Sequence, residues 1–111
     1  MIKLCNISDL VEGSGVCALT NHDNQEQQIA LFYLPNTEQK VYAINNWDPC
    51  GNANVLSRGI VGNVGEELVV ASPLYKQHFN LITGQCLEEE QTMVKTYPLT
   101  IKDDGVYLTA A

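Results

Sequence analysis

A chain of 111 residues with 13 acidic and 6 basic side chains has a formal net charge of -7, which repels phosphate backbones and anionic headgroups and argues against nucleic acid or membrane surfaces as partners. Hydrophobic residues at 45% and charged residues at 17% support a packed core and argue against disorder. The length suits one domain, residues 1–111.

No apolar run reaches the roughly 18 residues of a spanning helix. Met1-Ile2-Lys3 leads into a strand-like segment without a signal-peptide core, so a cytoplasmic location is expected. Cys5, Cys17, Cys50 and Cys86 are irregularly spaced. They allow three pairings in an oxidising compartment and are expected as free thiols in a reducing one.

Short segments rich in β-branched and aromatic residues, separated by turn formers, recur along the chain without a helical period, which predicts an all-β fold. Ile2 to Asn6 is the first expected strand. Gly13-Ser14-Gly15 is a turn, and no Lys-Ser/Thr follows it to make a phosphate loop. Val16 to Thr20 and Gln27 to Leu34 are expected to form a hairpin around Asn21-His22-Asp23-Asn24, with His22 solvated in that loop. After a turn at Pro35 to Glu38, Val41 to Asn45 reads as a half-buried strand. Asn46 to Gly59 reads as a long loop. Ile60 to Val64 and Glu67 to Ala71 predict a hairpin across Gly65-Glu66, followed by a strand from Phe79 to Ile82 closed by Thr83-Gly84. Glu88, Glu89 and Glu90 favour a solvated loop or edge that could steer a basic partner. Thr96 to Lys102 and Val106 to Thr109 flank Asp103-Asp104-Gly105, where Gly105 is expected to supply the positive φ of the turn. Pro98 removes a ladder donor and marks an edge or bulge.

Ala71 to Gly84 has the spacing of an iron-sulfur binding loop in which a Cys-Pro pair is followed by His, Phe and Thr-Gly. Pro73, Phe79, Thr83 and Gly84 occupy the matching places, whereas Ser72 stands at the cysteine and Tyr75 at the histidine. Aligning Leu56 and Gly59 with the leucine and glycine of the companion loop places Pro49 at its cysteine and Gly51 at its histidine. A slip of one residue brings Cys50 or Asp48 near a ligand position, and no register supplies both a Cys and a His.

On these residues the chain resembles the Rieske-type [2Fe-2S] domain, which implies an antiparallel β-sandwich or partly open barrel with little or no helix. That cluster needs two thiolates and two imidazoles, and serine or tyrosine oxygens are poor substitutes. Val55 to Gly59, Val70 to Leu74, Gly15 to Leu19 and Val94 to Tyr97 further resemble the small-subunit family of bacterial assimilatory NAD(P)H-dependent nitrite reductases, in the branch that lacks the ligands. The resemblance implies a cofactor-free chain that binds a large catalytic subunit carrying FAD, siroheme, a [4Fe-4S] cluster and the NAD(P)H site. Two other readings stand beside it: a Rieske-type ferredoxin electron carrier, and a binding module on a degenerate scaffold.

No catalytic or metal-ligating residue is expected. Ser72 lacks a neighbouring base and reads as a packed loop serine. Trp47, Leu74, Tyr75 and Phe79 are the bulk available to order the two loops in place of a metal. Tyr75 suits either core filling or an interface, Arg58 an interface or a surface salt bridge, and His78 a neutral strand position or a ligand or proton donor. Cys50 lacks the positive neighbours that activate a thiol. The candidate interface is Trp47, Cys50, Arg58, Leu74, Tyr75 and His78.

Overall fold

The computed structural model describes residues 2–22, 25–74 and 76–109. Eleven strands dominate the described residues, and every pairing between those strands is antiparallel. β1 (Ile2–Asn6) pairs with β11 (Gly105–Leu108), which pairs in turn with β10 (Leu99–Lys102). β2 (Gly15–His22), β3 (Gln25–Tyr33) and β4 (Val41–Asn45) form a second sheet, and β7 (Ile60–Val64), β8 (Glu67–Ala71) and β9 (His78–Asn80) a third. A two-residue ladder joins β5 (Trp47–Asp48) to β6 (Ala53–Asn54). The only helical turns among the described residues are 3₁₀ turns at Ile7–Asp9 and Leu56–Arg58. The expected antiparallel β architecture with little helix is therefore what forms.

The β2-β3-β4 sheet has a core on each face. Ala30, Phe32, Tyr42 and Ile44 face Leu56, Val70, Phe79 and Leu81. Ile29, Leu31, Val41 and Ala43 pack on the other side with Tyr97, Val106 and Leu108. Alternating side chains of one strand point to opposite faces, so a strand between two apolar layers must be apolar at every position. This corrects the reading of Val41 to Asn45 as half-buried, because residues 41 to 44 are all buried.

Other boundaries move for local reasons. The β2-β3 ladder continues to His22↔Gln25, so Asn21 and His22 are strand residues, while Asp23 and Asn24 lie outside the described residues. The expected loop from Asn46 to Gly59 contains β5, β6 and a 3₁₀ turn. β9 begins at His78 and ends at Asn80, earlier than expected, because the Asn80 Oδ1 accepts the N–H groups of Ile82 and Thr83 at 2.8 and 3.0 Å and turns the chain. Thr96 makes an isolated bridge to Ile44, and the regular strand starts only after Pro98, at Leu99. In the last hairpin the positive φ values belong to Asp103 (51°) and Asp104 (64°). Gly105 is instead the first residue of β11, buried, where an added Cβ would lie 2.6 Å from the Tyr107 ring.

Gly84 combines both constraints that demand glycine: φ is 80°, and an added Cβ would lie 2.1 Å from the Val94 carbonyl oxygen. Gly84→Ala is therefore expected to lose about 1–3 kcal/mol or more, read as a lower urea midpoint with an unchanged slope.

Candidate functional site

Two loops meet at one end of the first core. The first, residues 45–59, is anchored by Asn46, a buried side chain whose Oδ1 accepts the Ser57 N–H at 2.7 Å while Nδ2 donates to Gln28 Oε1 at 3.1 Å. The second, residues 72–77, is a tight turn closed by Ser72 N–H to the Gln77 carbonyl at 2.9 Å and Lys76 N–H to the Ser72 carbonyl at 3.1 Å.

Their contact is polar and buried. Asp48 is 0% exposed and Ser72 1%. The Ser72 hydroxyl donates a short hydrogen bond to Asp48 Oδ2 and accepts the Leu74 N–H at 3.2 Å. Asp48 Oδ1 accepts the N–H groups of Cys50 at 2.8 Å and Gly51 at 3.2 Å. One carboxyl group thus shapes its own turn and ties that turn to the other loop, with each of its oxygens satisfied as burial demands.

Around this tie the expected residues separate. Phe79 is buried in the core, as expected. Trp47 is 43% exposed and does not supply the packing expected of it, whereas Leu74, 46% exposed, packs across the loops against Gly51; the buried Asp48–Ser72 bond ties the two loops beside that contact. Pro49 and Trp47 line a surface hollow of about 330 Å³ together with Met93 and Lys95. Gly51 faces Leu74, where an added Cβ would lie 2.5 Å from Leu74 Cδ1. Tyr75 lies outside the described residues. Arg58 is exposed on the second 3₁₀ turn. A separate hollow of about 560 Å³ opens between β4 and β10, lined by Val41, Tyr97 and Leu99 among others, away from both loops.

Cys50 is half-buried against the core that contains Cys86. Burial first, then Cys86 and the Asp48 and Glu89 carboxylates, push its thiol up. A thiol kept protonated is a poor nucleophile and a poor metal ligand, which agrees with the sequence reading of Cys50 as unactivated. His78 Nδ1 lies 2.7 Å from Glu88 Oε2, and the His78 backbone N–H donates to Glu88 Oε1 at 2.7 Å. Burial alone would raise the Glu88 carboxyl, but the backbone N–H and imidazole of His78 outweigh it and hold the group below the usual carboxylate range.

These residues do not fit a [2Fe-2S] cluster. Ser72 and Asp48 offer hard oxygens, already bonded to each other, where soft thiolates and imidazoles are needed, and Leu74 closes directly over Gly51. Among the described residues no three His, Cys, Asp or Glu side chains group to hold a metal ion. The sequence marks Asp48 only as a residue near a ligand position in a slipped register, and gives no role to Asn46 or Met93. The available signal was the pairing of an Asp-Pro in one loop with a Ser-Pro in the other, which becomes a hydrogen bond only when both loops are folded.

The model of the Rieske-like [2Fe-2S] domain family matches residues 1–109. The nitrite reductase (NADH) small subunit of Salmonella typhimurium is 46% identical over 106 residues, covering 96% of this chain and 94% of that protein. The solution NMR structure of the nitrite reductase NAD(P)H small subunit from Erwinia carotovora superimposes with a TM-score of 0.78 at 43% identity, covering 99% of this chain and 81% of that one. The nitrite reductase NAD(P)H large subunit of Klebsiella oxytoca is 34% identical over 105 residues, covering 95% of this chain and 10% of that protein. The ferredoxin of carbazole 1,9a-dioxygenase from Nocardioides aromaticivorans shares the fold, with a TM-score of 0.78 at 18% identity over 99% of this chain and 97% of that one.

Ser72→Ala removes the donor to a buried carboxyl group and is expected to cost about 1.5–3 kcal/mol in chemical denaturation. Asp48→Asn should cost less, because Oδ1 still takes both N–H groups and the new amide can donate to the Ser72 hydroxyl. The Glu88 carboxyl is held below its unfolded value, so its tie to His78 contributes stability above about pH 4.3 and loses it as pH falls further. The excess Tm of the unaltered chain over Glu88→Gln is accordingly expected at neutral pH and should shrink as pH falls through the acid range.

Proposed function

Because the chain belongs to the Rieske-like [2Fe-2S] domain family, and within it to the nitrite reductase small subunits, we propose that it is the cluster-free small subunit of an NAD(P)H-dependent nitrite reductase. That enzyme reduces nitrite to ammonium in nitrate assimilation, in the cytoplasm. The large subunit carries FAD, siroheme, a [4Fe-4S] cluster and the NAD(P)H site. This chain carries no redox centre, is inactive alone, and binds and supports the catalytic subunit. Pro49, Gly51, Ser72 and Tyr75 hold the former ligand positions, and the contact set is drawn from Trp47, Cys50, Arg58, Leu74, Tyr75 and His78.

The observation that carries this reading is the Klebsiella oxytoca match. A large subunit there includes a stretch that aligns with 95% of this chain while making up 10% of its own length. A unit held in one polypeptide with its partner needs little affinity, since tethering supplies a high effective concentration. The same unit as a separate chain must make the contact through its own surface. The loop chemistry agrees with a non-redox role, because the ties between the loops are hydrogen bonds to oxygen and the Cys50 thiol is kept protonated.

Co-purification from nitrite-grown cells tests the proposal. A tagged chain is expected to bring down a large flavin- and siroheme-containing protein, and the chain purified anaerobically by itself should show no iron-sulfur absorption bands. Recovery of the chain alone under gentle conditions would count against the subunit role, and cluster bands would favour the ferredoxin reading.

A further inference from the structure

At the loop end, three large apolar side chains surround the turn that Asp48 shapes. Trp47 is 43% exposed, Leu74 46% and Met93 58%. Trp47, Pro49 and Met93 line one hollow on one side of the turn, and Leu74 reaches Gly51 on the other. Leaving such side chains in water forgoes the free energy of burying them, and they flank one turn at the loop end. Beneath it the Asp48–Ser72 bond and the anchored Asn46 hold the backbone, so the patch is presented in a fixed shape and loses little freedom on contact.

The border of this patch is acidic. Glu88, Glu89 and Glu90 are exposed and lie in sequence between buried Cys86 and exposed Met93. Glu89 is close enough to Cys50 for its charge to act on that thiol. Glu88 is held by His78, which fixes the segment against β9 and leaves Glu89 and Glu90 free to face outward. Two cations accompany the patch: Lys95, which lines the hollow with Trp47 and Met93 and stands 5.0 Å over the Tyr97 ring, and Lys76, exposed on the turn that carries Leu74. The three exposed glutamates, in a chain of net charge -7, disfavour an anionic lipid surface. They also disfavour a second copy of the chain, since a two-fold contact would bring two acidic borders together.

We propose that the loop end is the docking surface for the large subunit: Trp47, Leu74 and Met93 seat on an apolar patch of that protein, and Glu89 and Glu90 meet lysine and arginine side chains beside it. This deepens the subunit reading above and rests on it. The apolar side chains supply affinity, and the two glutamates set orientation and association rate.

The test is binding of the purified chain to its large subunit, by calorimetry at low and high salt, with three variants. Trp47→Ala combined with Met93→Ala is expected to weaken binding about tenfold or more. Glu89→Lys combined with Glu90→Lys should also weaken it about tenfold at low salt and flatten the salt dependence. Ile60→Ser, on β7 and 78% exposed, should bind as the unaltered chain does. All substituted positions are exposed, so melting temperatures should stay close to that of the unaltered chain. Hydrogen exchange of the complex provides a second readout, with protection expected at residues 47–51 and 86–93. Unchanged affinity of both loop-end variants, or protection confined to residues 60–64, overturns the surface while leaving the subunit reading intact. Failure of the unaltered chain to bind overturns the subunit reading and the surface with it.

Discussion

The hydrogen bond between Ser72 and Asp48 is the constraint on which the loop end depends. A metal cluster shared by two loops joins them by bonds that contribute folding energy outright. Here the joint is a hydroxyl and a carboxyl group buried together, and its net contribution is of the order of a charged hydrogen bond, about 1.5–3 kcal/mol. The pair works because neither partner is left over. The carboxyl oxygen not facing Ser72 takes two backbone N–H groups, and the hydroxyl oxygen takes a third. A single bond of this size could not order two independent loops. It suffices because each loop is already closed by its own backbone bonds and by Asn46.

Those loops stand on a sheet that is apolar on both faces. Phe32, Ile44 and Phe79 beneath the loops, and Ile29, Leu31 and Val106 on the far side, fix β3 and β4 from two directions. A strand clamped in that way cannot slip by one residue without exchanging one core for the other, so register is specified twice. The loop end therefore inherits a rigid base, and its exposed Trp47, Leu74 and Met93 are held in place rather than dispersed.

Much of this was legible in the chain. The β7-β8 hairpin across Gly65-Glu66 forms as its residues predict, and the all-β class followed from short β-branched segments. The misreadings share one origin, which is that local pattern does not report what covers a strand or a turn. Val41 to Ile44 alternates in a way that suggests one wet face, and only the second core covers it. Asp103 and Asp104 adopt positive φ because a two-residue hairpin requires it at both positions, which left Gly105 for a place where a Cβ would strike Tyr107. At the site, the loop spacing and the missing ligands were readable from Ser72 and Gly51. Asp48 was not, because its meaning lies in a partner 24 residues away.

The first and last strands of this fold lie side by side, with Ile2 opposite Leu108 in the β1-β11 ladder. Neighbouring strands are about 4.8 Å apart, so the backbone enters and leaves at essentially one point. Such a unit can be spliced into a longer polypeptide through two short junctions, or released from it, without disturbing a single sheet. The same small β-structure can accordingly occur as a chain of its own, as in the Salmonella typhimurium small subunit, or as a tenth of a longer polypeptide, as in the Klebsiella oxytoca large subunit.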